Sequence, residues 1–395
     1  MAYTTSSTKN YGQRLTGSIK GIAVGLLLFV AGTVMLFWNE GNFVKQRKAL
    51  KEAQSVTVHV DDVSTVDGSL NGKLIHATAL ANTSDRLVDR QFGVGAVAVS
   101  LSRKVEFCQY EEVVSTKKKD KVGGGQETIK TYTYRKAWVP RPIESDKFND
   151  PAYQKSNMTL AVIESETQFA ENVAFDAYRL PPFLVRAIDG SEPLAFELSS
   201  ERVQYWGKII SDKLKLRGVE VDGATLVRQN DNKVYFGRSE TDPDIGDVRI
   251  TFTKIDPKEI SLIAKVNNNT FEEFIAENGK SFYQVATGTV SASNMFDSAH
   301  STNSIITWIL RIIGILLVMI GLRMMFDILP TLFKVLPFLG NIIGAGVGLV
   351  CFVGGFAWSM LLISLSWLFY RPLIGIPLLL LTVAGIWLLK KRAKA

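Results

Sequence analysis

Cysteine and histidine are scarce in this chain, two of the first and three of the second in 395 residues. Cys351 falls inside a long apolar run, so it and Cys108 offer no disulfide framework, and any folded domain must hold by its core alone. His59, His76 and His300 have no cysteine at ligand spacing, which argues against a metal centre. No Gly-x-Ser-x-Gly, His-Glu-x-x-His or complete phosphate-loop pattern occurs; Gly279-Lys-Ser281 has the end of a phosphate loop without its earlier glycine. The acidic pairs Glu111/Glu112 and Glu164/Glu166 lie in strand-like sequence, where such residues are ordinarily solvated surface. No catalytic, cofactor-binding or metal-ligating residues are expected, no cofactor is expected, and an enzyme is the less favoured reading.

Charge is missing from two long regions. Gly21 to Trp38 is an uncharged run of 18 residues, and Arg371 is the sole charge between Asn341 and Lys390. The latter stretch, about 49 residues, is too long for one bilayer crossing and suits two of ~20 residues each. Arg371-Pro372 then reads as a tight turn, with proline in the first turn of the following helix. The first run is longer in its apolar core than a signal peptide and has no small-x-small cleavage site after it, so it reads as an uncleaved anchor. No Asp, Glu, Lys or His lies mid-span, which argues against a pump or carrier made by one chain.

The formal net charge of +7 hints at nucleic acid until it is divided along the chain. Residues 1–52 hold 7 Lys/Arg and 2 Asp/Glu, residues 301–395 hold 8 and 1, and 30 and 35 remain for 53–300. The basicity belongs to the membrane flanks and no nucleic-acid partner is expected. Between those flanks the pattern is β: Ser55–Val60 alternates, Lys73–Ala79 is strand-like, and Val105–Thr116 and Thr128–Val139 flank a Lys- and Gly-rich tip expected to be a solvated turn. Ser200–Arg217 has helical spacing at Val203, Trp206, Ile209, Ile210 and Leu214. Asn71–Arg103 and Asp231–Lys254 share a sequence of parts, which suggests a duplicated β unit.

The expected fold class is therefore an integral membrane protein with four transmembrane α-helices, one N-terminal and three C-terminal, and a β-rich α+β extracytoplasmic domain built on an internal duplication. The expected division is a cytosolic tail 1–18, a first span 19–38, the domain 39–304, a second span 305–326, a cytosolic turn 327–339, a third span 340–366, a fourth 372–389 and a basic cytosolic tail 390–395. The four positive charges of 390–394 and an even span count place the domain outside the cytosol. Asn82, Asn157 and Asn268 would be glycosylation acceptors in a eukaryotic lumen.

Two sets of residues are candidates for a structural site. Trp38, Asn39, Glu40, Gly41, Arg311, Trp367, Phe369, Tyr370, Arg371 and Pro372 fall on one membrane face, where Glu40 either pairs with Arg371 or Arg311 and clamps the first span to the C-terminal helices, or is solvated at the headgroups independently of both. Gly17, Gly21 and Gly25, then Gly340, Gly344 and Gly348 with Gly355 beyond, give smooth faces for close helix contact.

Leu36-Phe-Trp-Asn-Glu-Gly41, Val105–Tyr110, Tyr132–Trp138, Ile143–Phe148, Ile245–Phe252 and Trp367-Leu-Phe-Tyr-Arg-Pro-Leu373 follow one another along most of the chain. In this series the chain resembles the transmembrane protein 43 (LUMA) family. The resemblance implies one N-terminal span, a large lumenal or periplasmic domain, a C-terminal bundle and a non-enzymatic, self-associating role in membrane organisation. In animals it implies the endoplasmic reticulum and inner nuclear membrane, with lamins and emerin as partners; in a bacterium it implies the inner membrane without them. Partners expected here are the lipid bilayer, further copies of the chain and other membrane proteins. The alternatives are a subunit of an oligomeric channel or transporter, and a lumenal ligand-binding or sensing module.

Overall fold

The first apolar run does not stop at a membrane surface. Tyr11–Val56 form one helix, α1, of 46 residues, about 69 Å long at 1.5 Å per residue. Asn10 and Gln13 close a reciprocal capping box at its start. Its last turns carry Leu50 and Ala53, buried against Leu74, Ile263, Phe282, Met295 and Phe296. The anchor is thus continuous with the domain it carries. The structure, a computed structural model, describes residues 2–372 together with 376, 377 and 380.

The domain has two sheets. In the first, Leu74–Asn82, Lys258–Asn267, Thr270–Glu272, Tyr178–Leu180 and Val173–Phe175 pair in a closed ring, a small barrel. Ile75, Ala77, Phe175, Tyr178, Leu262 and Phe271 fill it, with Leu184 and Val185 of the short helix α2 (Pro182–Val185) packed on the same core. Residues 74–77 are buried on both faces. Ile75 and Ala77 point into the barrel core, while Leu74 lies under the end of α1. Burial on both sides explains why this strand reads as a continuous apolar run. The second sheet is built on Ser100–Asp120, with Gln126–Val139 on one side and Val248–Ile255, Lys233–Phe236 and Val227–Asn230 on the other. Helix α3 (Ser200–Lys215) covers it, laying Trp206 and Ile210 onto a core with Phe92, Phe236 and Phe252. The expected duplication does not hold: Leu74–Asn82 belongs to the barrel, whereas Lys233–Phe236, its supposed counterpart, belongs to the other sheet. Similar turn residues between strands mimicked a repeat.

Residues 293–304, at the end of the sequence assigned to the domain, are helical. Ser291 caps α4 (Ala292–Phe326), which runs from the barrel into the bundle without a break. Helices α5 (Ile328–Phe333) and α6 (Pro337–Tyr370) follow. The count of four spans is corrected here: among the described residues three helices are long and apolar enough to cross a membrane, one N-terminal and two C-terminal. Helix α6 has 34 residues, about 51 Å, and covers the expected third span alone; the sequence counted as a fourth, 372–389, is not part of it. It ends at Tyr370, where Arg371 leaves the helical region before Pro372. The segment 372–389 lies outside the described residues apart from Pro372, Ile376, Pro377 and Leu380.

Glycines bring α1 and α4 together, in a pattern different from the expected one. A Cβ on Gly25 would stand 2.6 Å from the Gly321 carbonyl oxygen, and one on Gly32 would stand 2.9 Å from that of Gly314. Both pairs are seven apart, two helical turns, on facing helices. Of the glycines expected at four-residue spacing, Gly17 and Gly348 have nothing within 4 Å, Gly21 and Gly344 are loosely approached, Gly340 packs on Lys334 and Gly355 on Met319.

The hairpin formed by Ser100–Asp120 and Gln126–Val139 does not end in a free tip. It passes beyond the sheet at Phe107, where its pairing with Val248 ends, and continues for thirteen residues, about 43 Å. Its tip reaches the start of α1 and the α5 region. Arg14 pairs with Asp120 at 3.0 Å and Lys334 with the same carboxylate at 2.8 Å. The Gly123 N–H donates to the Val335 carbonyl at 3.0 Å. Gly123 and Gly124 have φ of 85° and 82°, a region natural to glycine, and the Tyr11 ring packs where a Gly124 side chain would be. The polar tail pairs as a strand, Tyr3–Lys9, along Gln126–Tyr132.

Gly321→Ala tests the helix contact. The added methyl must push α1 from α4 and cost about 1–3 kcal/mol, whereas Gly17→Ala, in open space, should be neutral or stabilising by up to about 1 kcal/mol. Unfolding of the full chain in mixed micelles measures both; equal effects would contradict the assignment of the interface.

Candidate functional site

Glu40 lies near the middle of α1 and is completely buried. An isolated carboxylate in such surroundings would be very unfavourable, and three groups answer it. Arg311 of α4 donates from Nε to Oε1 at 2.5 Å and from Nη2 to Oε2 at 2.8 Å, a two-pronged pairing. Trp367 of α6 donates its indole N–H to Oε2 at 2.7 Å. One carboxylate thereby joins all three membrane-length helices.

The surrounding residues complete the joint. Asn39 donates its amide to the Thr307 carbonyl at 3.1 Å, bypassing the local helix ladder to link α1 with α4. Gly41 leaves room for the Tyr370 ring, whose Cζ would be 2.6 Å from a Cβ there. Phe37 packs near Phe369 and Tyr370. The Arg311 guanidinium lies 4.7 Å from the Trp308 ring centre, and that of Arg371 lies 4.5 Å from Phe43 and 5.9 Å from Trp367.

Asn39, Glu40, Gly41, Arg311, Trp367, Tyr370 and Arg371 therefore converge. Of the two arginines considered for Glu40, Arg311 is in ion-pair contact and Arg371 stacks on aromatics instead. Trp38, Phe369 and Pro372 are exposed on the outer surface of the bundle. Arg311 turns inward to its partner rather than extending to the membrane surface. Sequence reasoning missed Phe43, Thr307 and Trp308; Phe43 lies three residues after Glu40 and Trp308 three before Arg311, the helical spacing that puts neighbours on one face.

A second polar joint ties the barrel to the start of α4. His76 Nε2 lies 2.8 Å from the Val290 carbonyl, just before the Ser291 cap. An Nε2–H donor leaves His76 Nδ1 as acceptor for the His59 Nδ1–H, 2.9 Å away. Burial first, then the nearby His59, lowers the His76 pKa, opposed by the bond to Val290.

Three of the four acidic residues in the pairs Glu111/Glu112 and Glu164/Glu166 are used in structure. Glu111 pairs with Arg135, Glu112 accepts from Tyr134 and Asn149, and Glu166 pairs with Arg103. Burial pushes the Asp247 carboxyl up, and it accepts from the Tyr235 hydroxyl and the Asp244 N–H within its own loop. Asn157 bonds both ways to the Tyr110 backbone. Among the described residues, no group of three or more His, Cys, Asp or Glu is placed to hold a metal ion.

A β-rich extramembrane domain carried on membrane-length helices, with the joint between them closed by a buried ion pair, defines an integral, multi-pass membrane protein. The chain belongs to the Transmembrane protein 43 family, whose signature matches residues 107–372. It is 27% identical to Transmembrane protein 43 of Homo sapiens over 403 residues, covering 99% of this chain and 94% of that one. The Rattus norvegicus protein is also 27% identical, over 382 residues, 94% of this chain and 89% of its own. The Drosophila melanogaster homolog is 26% identical over 373 residues, 90% of each. No solved structure matches the chain.

Two predictions follow from these joints. Glu40→Gln or Arg311→Gln should each destabilise by about 3–5 kcal/mol, because each leaves a buried partner uncompensated, and the double variant should lose far less than the sum. Double-mutant cycles on unfolding in micelles measure the coupling; additive losses would refute the clamp. For His76, the unfolded chain takes up a proton at higher pH than the native site does. Stability is therefore retained above the ordinary histidine pKa of 6.5 and falls as pH drops below it, with one proton contributing at most about 1.4 kcal/mol per pH unit. Melting between pH 7.5 and 5.5 should show a shallower pH dependence in His76→Gln; an unchanged slope would show that His76 does not carry it.

Proposed function

We propose that this protein is a non-enzymatic, self-associating membrane scaffold, a role in keeping with its family. The observation that carries the proposal is the polar arm of the long hairpin. From Arg14 to Glu40, α1 rises about 39 Å, and the hairpin spans about 43 Å from Phe107 to a tip held at the Arg14 end of α1. On this reading the arm runs at the depth of the apolar helices, carrying Ser115, Thr116, Lys117, Lys118 and Lys119. Beyond Tyr110, whose backbone Asn157 satisfies, the Ser100–Asp120 side of the arm has no neighbouring strand among the described residues, while Tyr3–Lys9 lines part of the other side. Lipid can satisfy neither those side chains nor the open edge; backbone of this kind is tolerated at membrane depth only against protein or water. A second copy is the cover this reading supplies, and the open helix face around Gly348 adds a place for close contact.

The same arm supports a second reading, a subunit of an oligomeric channel in which the hairpins face water. The protein's place is a cell membrane, with an endomembrane of a eukaryote or the inner membrane of a bacterium as the finer proposal. The basic end of the bundle, with Lys9, Arg14, Lys20 and Lys334, would face the cytosol, and the barrel the lumen or periplasm.

Mass measurement of the full chain in nanodiscs tests the scaffold. Oligomers are expected, and Gly348→Leu, which meets no neighbour within the protomer, should raise the dissociation constant about tenfold or more, a loss of at least ~1.4 kcal/mol, without lowering protomer stability. A strictly monomeric particle would sink the proposal. Solute flux from proteoliposomes would favour the channel reading over it.

A further inference from the structure

At the end of the bundle away from the barrel, the hairpin tip, the N-terminal strand, α1 and the end of α4 enclose a cavity of about 510 Å³. Lys9, Arg14, Lys118, Arg323 and Lys334 line it, with Asp327 as the lining carboxylate. Asp120, just behind the wall, already neutralises part of this charge: Arg14 and Lys334 share it at 3.0 and 2.8 Å. Burial works against that carboxylate, but hydrogen bonds from Lys334 and Gln126 and the charge of Arg14 hold it below the usual carboxylate range.

The remaining cations are poorly compensated. Among the described residues Lys9 and Lys118 have no carboxylate partner within ion-pair distance, and Arg323 reaches Asp327 only at 3.6 Å. Arg323 Nη1 is buried and has no hydrogen-bond partner among those residues. A buried donor without an acceptor is costly and marks a place where an acceptor belongs. Five cations face two carboxylates, so the cavity is built for an anion. Gly17 and Gly21 leave open space on the α1 wall. The cavity also lies at the border of the apolar surface, next to exposed Ile19 and Val24.

We propose that this cavity binds a phosphate-bearing anion, with Arg323 and Lys118 as its main unshared donors. A guanidinium fork matches phosphate oxygens, and basic pockets between membrane helices suit the headgroups of anionic lipids. The shared chemistry is the phosphate, and its source is an anionic lipid headgroup or free phosphate. Occupancy ties the hairpin tip to α4, since Lys118 and Arg323 come from these two elements.

Full-length protein in an uncharged detergent is titrated at fixed ionic strength with dioctanoyl phosphatidylglycerol, dioctanoyl phosphatidylcholine and inorganic phosphate, and binding is read by calorimetry. Phosphatidylglycerol should bind more tightly than phosphatidylcholine. Lys118→Gln and Arg323→Gln should each weaken binding about fivefold, the factor equivalent to ~1 kcal/mol per basic residue at an anionic surface. Lys208→Gln, on α3 of the domain, should leave it unchanged. Displacement by inorganic phosphate assigns the site to free phosphate; binding of the lipid without such displacement assigns it to the headgroup. Lys118 is exposed and makes no ion pair, so Lys118→Gln keeps the test valid even if Arg323→Gln unfolds the chain. The proposal is overturned if neither anion binds, or if Lys118→Gln binds as tightly as the parent protein.

Discussion

A carboxylate with no access to water must be answered by protein, and Glu40 is answered from two directions at once. Arg311 comes from α4 and the Trp367 indole from α6, while Glu40 itself sits on the helix that continues into the domain. Moving any of the three helices away would leave a buried charge or donor without its partner, so their mutual positions at this level are tightly restrained. The glycine contacts between α1 and α4 then set the spacing along the rest of the pair, since the two backbones meet with no side chain between them at Gly25/Gly321 and Gly32/Gly314. Polar pairing fixes the level, and small residues fix the distance.

The domain takes advantage of that restraint. Helix α1 ends under the barrel with Leu50 and Ala53, and α4 begins there with Met295 and Phe296. Both helices entering the bundle are therefore packed on one apolar face of the barrel, whose strand Leu74–Asn82 is covered on both sides at its start. At the opposite end the hairpin returns to Arg14 and Lys334 through Asp120. Helix and hairpin differ in rise per residue by about a factor of two, yet their lengths match. The domain holds the bundle at both ends.

Part of this organisation was legible in the sequence. Charge-free runs located the membrane helices, alternation located the strands, and Glu40 stood out as an acid at the edge of an apolar run beside Asn39 and Gly41. The count of four rested on apolar length beyond Arg371, whereas the described residues contain three membrane-length helices, of which α6 stops at Tyr370. Glycine spacing of four drew attention to Gly344 and Gly348, but the tight contacts use spacing of seven on two helices at once, visible only when Gly25, Gly32, Gly314 and Gly321 are compared together. The barrel closes through short pairings such as Arg179 with Thr270, which leave almost no periodic trace. The docking of the hairpin tip was hidden for another reason. Lys117–Gly125 has the composition of a free turn, and the groups that hold it, Arg14 and Lys334, lie far away in the chain.

The two long surfaces of the molecule ask for different solvents. Leu27, Ile342, Leu349 and Val350 are exposed on the helices, as residues facing lipid would be. The hairpin arm presents lysines, threonines and, beyond Tyr110, a strand edge without a neighbouring strand among the described residues, between the sheet and the Arg14 end of α1. A lone protomer surrounded by lipid satisfies the first surface and leaves the second with polar groups it cannot hydrogen-bond, each costing several kcal/mol. Water alone would satisfy the arm but needs a wall to separate it from lipid, and no part of the described bundle encloses the arm. In the proposed scaffold, further copies would provide that wall, whether the arms pack on one another or border an aqueous space. That proposal draws on the arm's backbone and lysines, and it is the same whichever occupant the interior of an assembly contains.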